Sequence, residues 1–215
     1  MKKYIAEFIG TFALVFCGTG AIIIDQQTGG AVSHAGVAAT FGLIILAMIY
    51  TFGETSGAHF NPAVTLSFAV AKLFPSKQIV PYISSQIAGA FFATFVLKFL
   101  FPENQNLGAT LPAGSQMQSF ILEFILTFFL MTVILNVSQG SKEVGVMAGI
   151  AIGSTILLEA MFAGPICGAS MNPARSLSPA IISGNLSALW LYIVAPVAGA
   201  ITATLTWQFM KQNNN

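Results

Sequence analysis

The sequence predicts an all-α membrane protein with six transmembrane helices and two re-entrant half-helices, arranged as an inverted repeat. Three observations support this fold class. The 215 residues are 55% hydrophobic and 7% charged, whereas soluble domains carry about 25% charged residues. Six apolar stretches approach the roughly 20 residues that span a bilayer core. The chain also contains one polar passage twice, each copy with an Asn-Pro-Ala motif.

The duplicated passages lie at residues 56–69 and 167–180. They read SGAHFNPAVTLSFA and CGASMNPARSLSPA, and eight of the 14 aligned positions are identical. A second match relates EFIGTF, which begins at Glu7, to EFILTF, which begins at Glu123. We therefore expect a first repeat at 1–107, with a half-helix at 61–73. A second, inverted repeat is expected at 108–215, with a half-helix at 172–183.

The six predicted spans give each repeat three crossings. They cover residues 4–24, 35–52, 79–101, 120–137, 144–162 and 186–210. Three is an odd number, so the second repeat enters the bilayer from the opposite side. The polar stretch 102–116 is predicted to be an external loop between the repeats. Six lysines fall on the same side of the membrane as the N-terminus, and loops rich in lysine are typically cytoplasmic, which predicts that both termini lie in the cytoplasm. The six are Lys2, Lys3, Lys72, Lys77, Lys142 and Lys211.

The apolar run after each Asn-Pro-Ala motif is too short to cross a bilayer. About twelve helical residues reach about 18 Å, a little over half of a hydrocarbon core of about 30 Å. Two such helices that enter from opposite faces meet near the middle. Asn is a favoured N-cap and Pro suits the first helical position. The residues predicted to begin the half-helices are Asn61, Pro62 and Ala63, and Asn172, Pro173 and Ala174.

Two helix N-termini at the bilayer midplane direct positive potential at one point. This potential repels cations, including hydronium, but not neutral molecules, and the pattern therefore indicates a pore. The amide groups of Asn61 and Asn172 are predicted to donate hydrogen bonds to a passing oxygen. Backbone carbonyls of the two preceding loops are predicted to line the pore as acceptors, namely those of Gly57, Ala58, His59, Gly168, Ala169 and Ser170.

Arg175 is the one arginine of the chain, and its counterpart in the first repeat is Val64. A guanidinium at the centre of a bilayer costs about 2.5–3.5 kcal/mol on insertion scales, and such residues usually face a cavity. We interpret Arg175 as a pore residue, with a buried structural pair as the alternative.

Two acidic residues are related by the repeat. Glu7 and Glu123 are interpreted as structural acids that accept hydrogen bonds from N–H groups of the re-entrant loops, with a proton relay as the alternative. Glu54 and Glu159 have no acidic counterparts in the other repeat, and the pattern assigns them no role.

With these paired motifs the chain resembles the aquaporins, the major intrinsic protein family, over essentially its whole length. The resemblance implies an aquaporin-like fold, a pore in each protomer and a homotetramer in membrane lipid. The run GPICGAS at 164–170 is similar to the nodulin-type intrinsic proteins and their bacterial relatives. The short termini of this chain, compared with those of plant members, predict a protein of a prokaryotic inner membrane. Five positions that separate water from glycerol channels in the family also fit the nodulin type; they hold Phe101, Ser176, Ala180, Tyr192 and Ile193.

The resemblance also places a selectivity filter, whose four positions hold Phe41, Ala160, Ala169 and Arg175. Strict water channels of the family have His where this chain has Ala160. The small residues imply a passive channel for water and small neutral solutes, such as glycerol or metalloid hydroxides like arsenite, which excludes protons and ions. The resemblance implies no cofactor, and the net charge of +1 does not point to a nucleic-acid partner.

Three alternatives stay open at this point. The first is a strict water-selective channel. The second is a secondary transporter of a small neutral solute, because inverted repeats with broken helices also occur in transporters. The third is a membrane enzyme, which we do not expect. His34 and His59 lie 25 positions apart without a nearby third ligand, so no metal site is predicted, and no Ser/His/Asp set is suggested either.

Overall fold

The structure is a computed structural model that describes residues 1–212, without the side chains of residues 143, 144 and 212. All regular secondary structure in this part of the chain is helical. Six helices, α1, α2, α4, α5, α7 and α9, are long and apolar enough to cross a membrane, so the protein is a multi-pass membrane protein. The helices are α1 (Lys2–Thr28), α2 (Ser33–Ser56), α3 (Pro62–Val70), α4 (Ile79–Leu100), α5 (Gln116–Ser138), α6 (Lys142–Val146), α7 (Ala148–Cys167), α8 (Pro173–Ser183) and α9 (Leu189–Gln212), with a 3-10 turn at Ser76–Gln78.

Most helix ends differ from the predicted bounds, by at most five residues. A short helix, α6, occupies the start of the predicted span 144–162, and the membrane-crossing helix α7 begins only at Ala148. The first half-helix, α3, ends at Val70, because the backbone at Lys72 takes a left-handed φ of 61°. The second, α8, ends at Ser183, before Gly184 with φ 81°.

The helices pack in a pattern that repeats itself when the two halves are exchanged. Helix α1 packs on α4 and α2, and its counterpart α5 packs on α9 and α7. The half-helices cross over, so that α3 lies against α9 and α8 lies against α4. Helix α2 pairs with α7, and α3 touches α8. The fold class predicted from the sequence, six spans and two half-helices in an inverted repeat, is therefore confirmed.

Glycines set the distance between the paired helices. A Cβ on Gly42 of α2 would lie 2.5 Å from the carbonyl oxygen of Gly153 of α7, and a Cβ on Gly153 would lie 2.7 Å from that of Gly42. The same close approach occurs where α4 meets α1 and where α9 meets α5, at Gly89 and Gly199. Small residues are used in this way in membranes, where helix association depends on close packing rather than on a hydrophobic driving force.

We expect Gly42→Ala to lower the midpoint of thermal unfolding in detergent. The added methyl group meets backbone atoms that cannot rotate away, and overpacking of this kind typically costs about 1–3 kcal/mol. Gly53→Ala is the matched control, because a Cβ on Gly53 of the same helix meets nothing within 4 Å. An unchanged midpoint for Gly42→Ala would show that the α2–α7 contact does not limit stability.

Candidate functional site

The two half-helices begin with equivalent caps. The side-chain oxygen of Asn61 accepts a hydrogen bond from the N–H of Ala63 at 2.9 Å, and Pro62 fills the first helical position. Asn172 does the same for Ala174 at 3.0 Å and for Arg175 at 3.4 Å. Both asparagines have extended backbones, as N-cap residues do. Each Asn-Pro-Ala motif thus begins a helix.

The same asparagines tie the two half-helices to each other. The amide nitrogen of Asn61 donates to the carbonyl of Met171 at 2.7 Å, and that of Asn172 donates to the carbonyl of Phe60 at 2.8 Å. Met171 and Phe60 are the residues that precede the opposite asparagine. An amide NH₂ group has two hydrogens, so each asparagine keeps one further N–H. Both asparagines are buried, and the N-termini of α3 and α8 therefore meet inside the protein.

The loops before the half-helices have a strained backbone, which is the same in both copies. Ala58 and Phe60 have φ values of 50° and 49°, and Ala169 and Met171 have φ values of 41° and 51°. Residues other than glycine rarely adopt this left-handed region. Such strain persists only where neighbouring groups hold the backbone in place.

Glu7 and Glu123 bind the N–H groups of these loops. The carboxylate of Glu7 accepts from the N–H groups of His59 at 3.0 Å and Phe60 at 2.8 Å. Glu123 accepts from those of Ser170 at 2.7 Å and Met171 at 2.8 Å. Both glutamates are fully buried. Each carboxylate thus accepts hydrogen bonds from loop N–H groups that have no partner within a helix.

The first of these glutamates has additional donors. Ser56 and Gln86 also donate to Glu7, both at 2.8 Å. The position of Ser56 is taken in the second copy by Cys167, whose sulfur points to the carbonyl of Ala163 at 3.5 Å. Glu123 is therefore bound by its two backbone partners, with the Cys167 thiol as a weaker side-chain partner.

Two cavities reach the region where the half-helices meet. The first has a volume of about 780 Å³ and is lined by Asn61 and by three of the predicted carbonyl residues, Gly57, Ala58 and His59. The second has a volume of about 450 Å³, and its wall includes Phe41, Ala160, Gly168 and Arg175. The structure thus brings three of the four predicted filter residues to one cavity. The fourth, Ala169, is buried beside Gly168, as is Ser170.

Arg175 is 2% exposed and contacts two other elements. One terminal nitrogen donates to the carbonyl of Gly108 at 2.7 Å, and the guanidinium carbon lies 5.1 Å from the centre of the Phe41 ring. A flat guanidinium stacks well on an aromatic face. No carboxylate oxygen forms an ion pair with Arg175 among the described residues, but Glu123 is near enough to interact with its charge, beside the Gly108 carbonyl and the aromatic ring.

The segment 107–110 was missed as part of the site. We expected stretch 102–116 to be an external loop, but Leu107 and Thr110 are 0% and 5% exposed, and Gly108 holds Arg175. The segment is irregular and has no repeat counterpart, so neither periodicity nor symmetry marks it. Its only signal in the sequence is the pair Leu107-Gly108, an apolar residue and a glycine within a polar stretch.

The structure also shows the surroundings of three side chains that the sequence did not predict. The ring of His59 stacks on Phe68 at 4.8 Å and contacts Thr65 at 3.1 Å, while the residue also borders the first cavity. Glu54 lies at the wall of the same cavity. Glu159 is 8% exposed, and one of its oxygens lacks a hydrogen-bond partner among the described residues.

We expect Glu123→Gln to destabilise the protein more than an exposed substitution does. The amide offers one oxygen to two N–H groups that now bind separate oxygens, and an unsatisfied buried donor costs about 1–3 kcal/mol. The measurement is the midpoint of thermal unfolding in detergent, with Glu103→Gln on the exposed loop as the control. A midpoint equal to that of the control would contradict the anchoring role.

Comparisons with known proteins agree with this geometry. The family model of the major intrinsic protein matches residues 1–207. An aquaporin NIP1-1 of Oryza sativa subsp. japonica is 47% identical over the whole chain, which covers 76% of that protein. Nodulin-26 of Glycine max is 42% identical over 98% of the chain and 78% of the relative. The resemblance to the nodulin-type members is therefore confirmed.

A solved structure gives the same result for the fold. The X-ray structure of the aquaglyceroporin from Plasmodium falciparum superposes with a TM-score of 0.87 at 27% identity, over 96% of this chain and 94% of that one. The similar sequences named here come from plants, so the expected prokaryotic membrane is not borne out. The family match and the shared fold together show that the chain belongs to the major intrinsic protein family, the aquaporins.

Proposed function

We propose that the protein is a passive transmembrane channel for water and small neutral solutes, with glycerol and metalloid hydroxides as the solute classes. The observation that carries the proposal is the meeting of two buried half-helix N-termini, linked by Asn61 and Asn172, between a cavity on each side. Solutes would pass the free N–H groups of the two asparagines and the carbonyls of loops 57–59 and 168–170.

Exclusion of ions follows from the charges at this point. The positive ends of α3 and α8 and the buried guanidinium of Arg175 raise the energy of any cation that has lost its hydration shell. A neutral molecule does not meet this barrier. A water molecule that accepts from both asparagines is oriented so that a continuous proton wire is interrupted.

The solute range follows from the filter residues. Phe41 offers an apolar face, Arg175 offers hydrogen-bond donors, and Ala160 and Ala169 leave room that a histidine would occupy. This combination suits a compact solute with an apolar core and several hydroxyl groups. A strict water channel is the competing proposal, and it would require neighbouring side chains to fill the space beside Ala160.

We also propose a repeat boundary, an assembly and a topology for the chain. The chain divides into repeats at 107/108, assembles as a homotetramer and has both termini in the cytoplasm, as the lysine distribution indicates. It has no enzymatic role. A secondary transporter is distinguished by its kinetics, since the flux of a carrier saturates while that of a channel stays nearly proportional to the gradient.

The solute range is tested by Ala160→His in proteoliposomes. We expect wild-type protein to pass glycerol and arsenite beside water, and we expect the imidazole ring to reduce glycerol flux far more than water flux. Stopped-flow light scattering measures both permeabilities on the same vesicles. Wild-type vesicles that pass water but neither glycerol, urea nor metalloid acids would support the strict water channel instead.

Arg175→Val tests the charge at the filter, since Val64 stands at the equivalent position of the first repeat. We expect the variant to keep or increase its flux of neutral solutes and to let protons or cations leak, because a fixed positive charge is lost from the constriction. A pH-sensitive dye inside the vesicles reports the leak. Arg175→Lys, which keeps the charge, should leak less. A variant that assembles and stays as proton-tight as wild type would rule out this role.

A further inference from the structure

Segment 107–110 places a hydroxyl group beside the arginine of the filter. Gly108 accepts the hydrogen bond of Arg175, and Thr110, two residues later, lies in the wall of the second cavity. Among the described residues of that wall, Thr110 and Arg175 are the buried polar side chains, at 5% and 2% exposure. The aromatic and alanine residues of the filter provide no polar side-chain atom.

A chain of hydrogen-bonded hydroxyl groups determines whether the Thr110 hydroxyl acts as a donor or as an acceptor. Thr110 Oγ1 lies 2.7 Å from Ser176 Oγ, which lies 2.5 Å from Ser170 Oγ. Ser170 Oγ in turn lies 3.0 Å from the carbonyl oxygen of Asn172. A carbonyl can only accept, so Ser170 donates to Asn172. Ser176 then donates to Ser170, and Thr110 donates to Ser176.

The direction of this chain determines what remains for a solute. The proton of Thr110 is directed at Ser176, so the hydroxyl oxygen keeps a lone pair and acts as an acceptor. The guanidinium of Arg175 has donors and no acceptor. The two buried polar groups of the wall are therefore complementary: one donates and the other accepts. A hydroxyl group of a solute needs both functions, because it also both donates and accepts.

We propose that Thr110 is a specificity-determining residue, whose Oγ1 accepts a hydrogen bond from a solute hydroxyl group while Arg175 donates to another. The inference rests on the proposed function and narrows its solute class to small neutral molecules with two or more O–H groups. Thr110 adds a side-chain acceptor to the loop carbonyls. When a solute enters the cavity from water, Thr110 Oγ1 replaces water as the acceptor for one of its O–H groups.

Thr110→Val tests the inference, since valine keeps the shape of threonine without the oxygen. Glycerol and water permeabilities are measured on the same proteoliposomes. Loss of one hydrogen bond should lower the ratio of glycerol to water permeability by about threefold to tenfold. Thr110→Ser, which restores the hydroxyl, should return the ratio to the wild-type value.

Thr94→Val is the matched control. Thr94 Oγ1 lies 2.9 Å from Ser178 Oγ, so it also contacts a serine of α8, but it borders neither cavity. The ratio of glycerol to water permeability of Thr94→Val should equal that of wild type. An unchanged ratio for Thr110→Val, or an equal decrease for Thr94→Val, would overturn the proposal. Should Thr110→Val fail to assemble, Thr110→Ala gives the same test.

The test separates this inference from the function on which it rests. Wild-type vesicles that pass glycerol, together with a Thr110→Val ratio equal to wild type, overturn the role of Thr110 alone. Wild-type vesicles that pass water and no glycerol overturn the proposed solute range, and the role of Thr110 with it.

Discussion

The reciprocal hydrogen bonds of Asn61 and Asn172 are the interaction on which the rest of the structure depends. Each amide caps its own half-helix and binds the carbonyl before the opposite cap, at 2.7 and 2.8 Å. This arrangement requires the loops before both caps to turn sharply, with left-handed residues such as Ala58 and Ala169. The loops in turn require buried acceptors for their N–H groups. Non-helical backbone at membrane depth is tolerated only where such partners exist or where it lines a wet cavity.

The two repeats differ at the residues to which we assign the filter. Duplication provides the paired caps, the paired glutamates and the glycine contacts at Gly89 and Gly199. Arg175 stands where the first repeat has Val64, and segment 107–110 occurs once. These unpaired features lie at the second cavity. In the proposed mechanism, the symmetric parts direct positive helix ends at the passage, and the asymmetric parts select among neutral solutes.

Much of this could be predicted from sequence, for identifiable reasons. Composition and hydrophobic length predict the six spans, and the repeated Asn-Pro-Ala passages predict two half-helices that meet. Phe41 and Ala160, far apart in sequence, were assigned to one site by resemblance to the family and not by any local pattern. The hydroxyl chain from Thr110 escaped prediction because it depends on an irregular segment folding inward. Helix ends such as that of α3 were also missed, since a left-handed residue like Lys72 has no clear sequence signal.

The most direct test of the central claim is made on wild-type protein in vesicles. Two opposed helix N-termini and a buried guanidinium should admit neutral molecules and stop protons. Osmotic water permeability and the decay of an imposed pH gradient are therefore measured on the same proteoliposomes, with protein-free vesicles as the reference. We expect faster water flux together with a pH gradient that decays no faster than in the reference. Sustained proton leak through intact wild-type protein would contradict it.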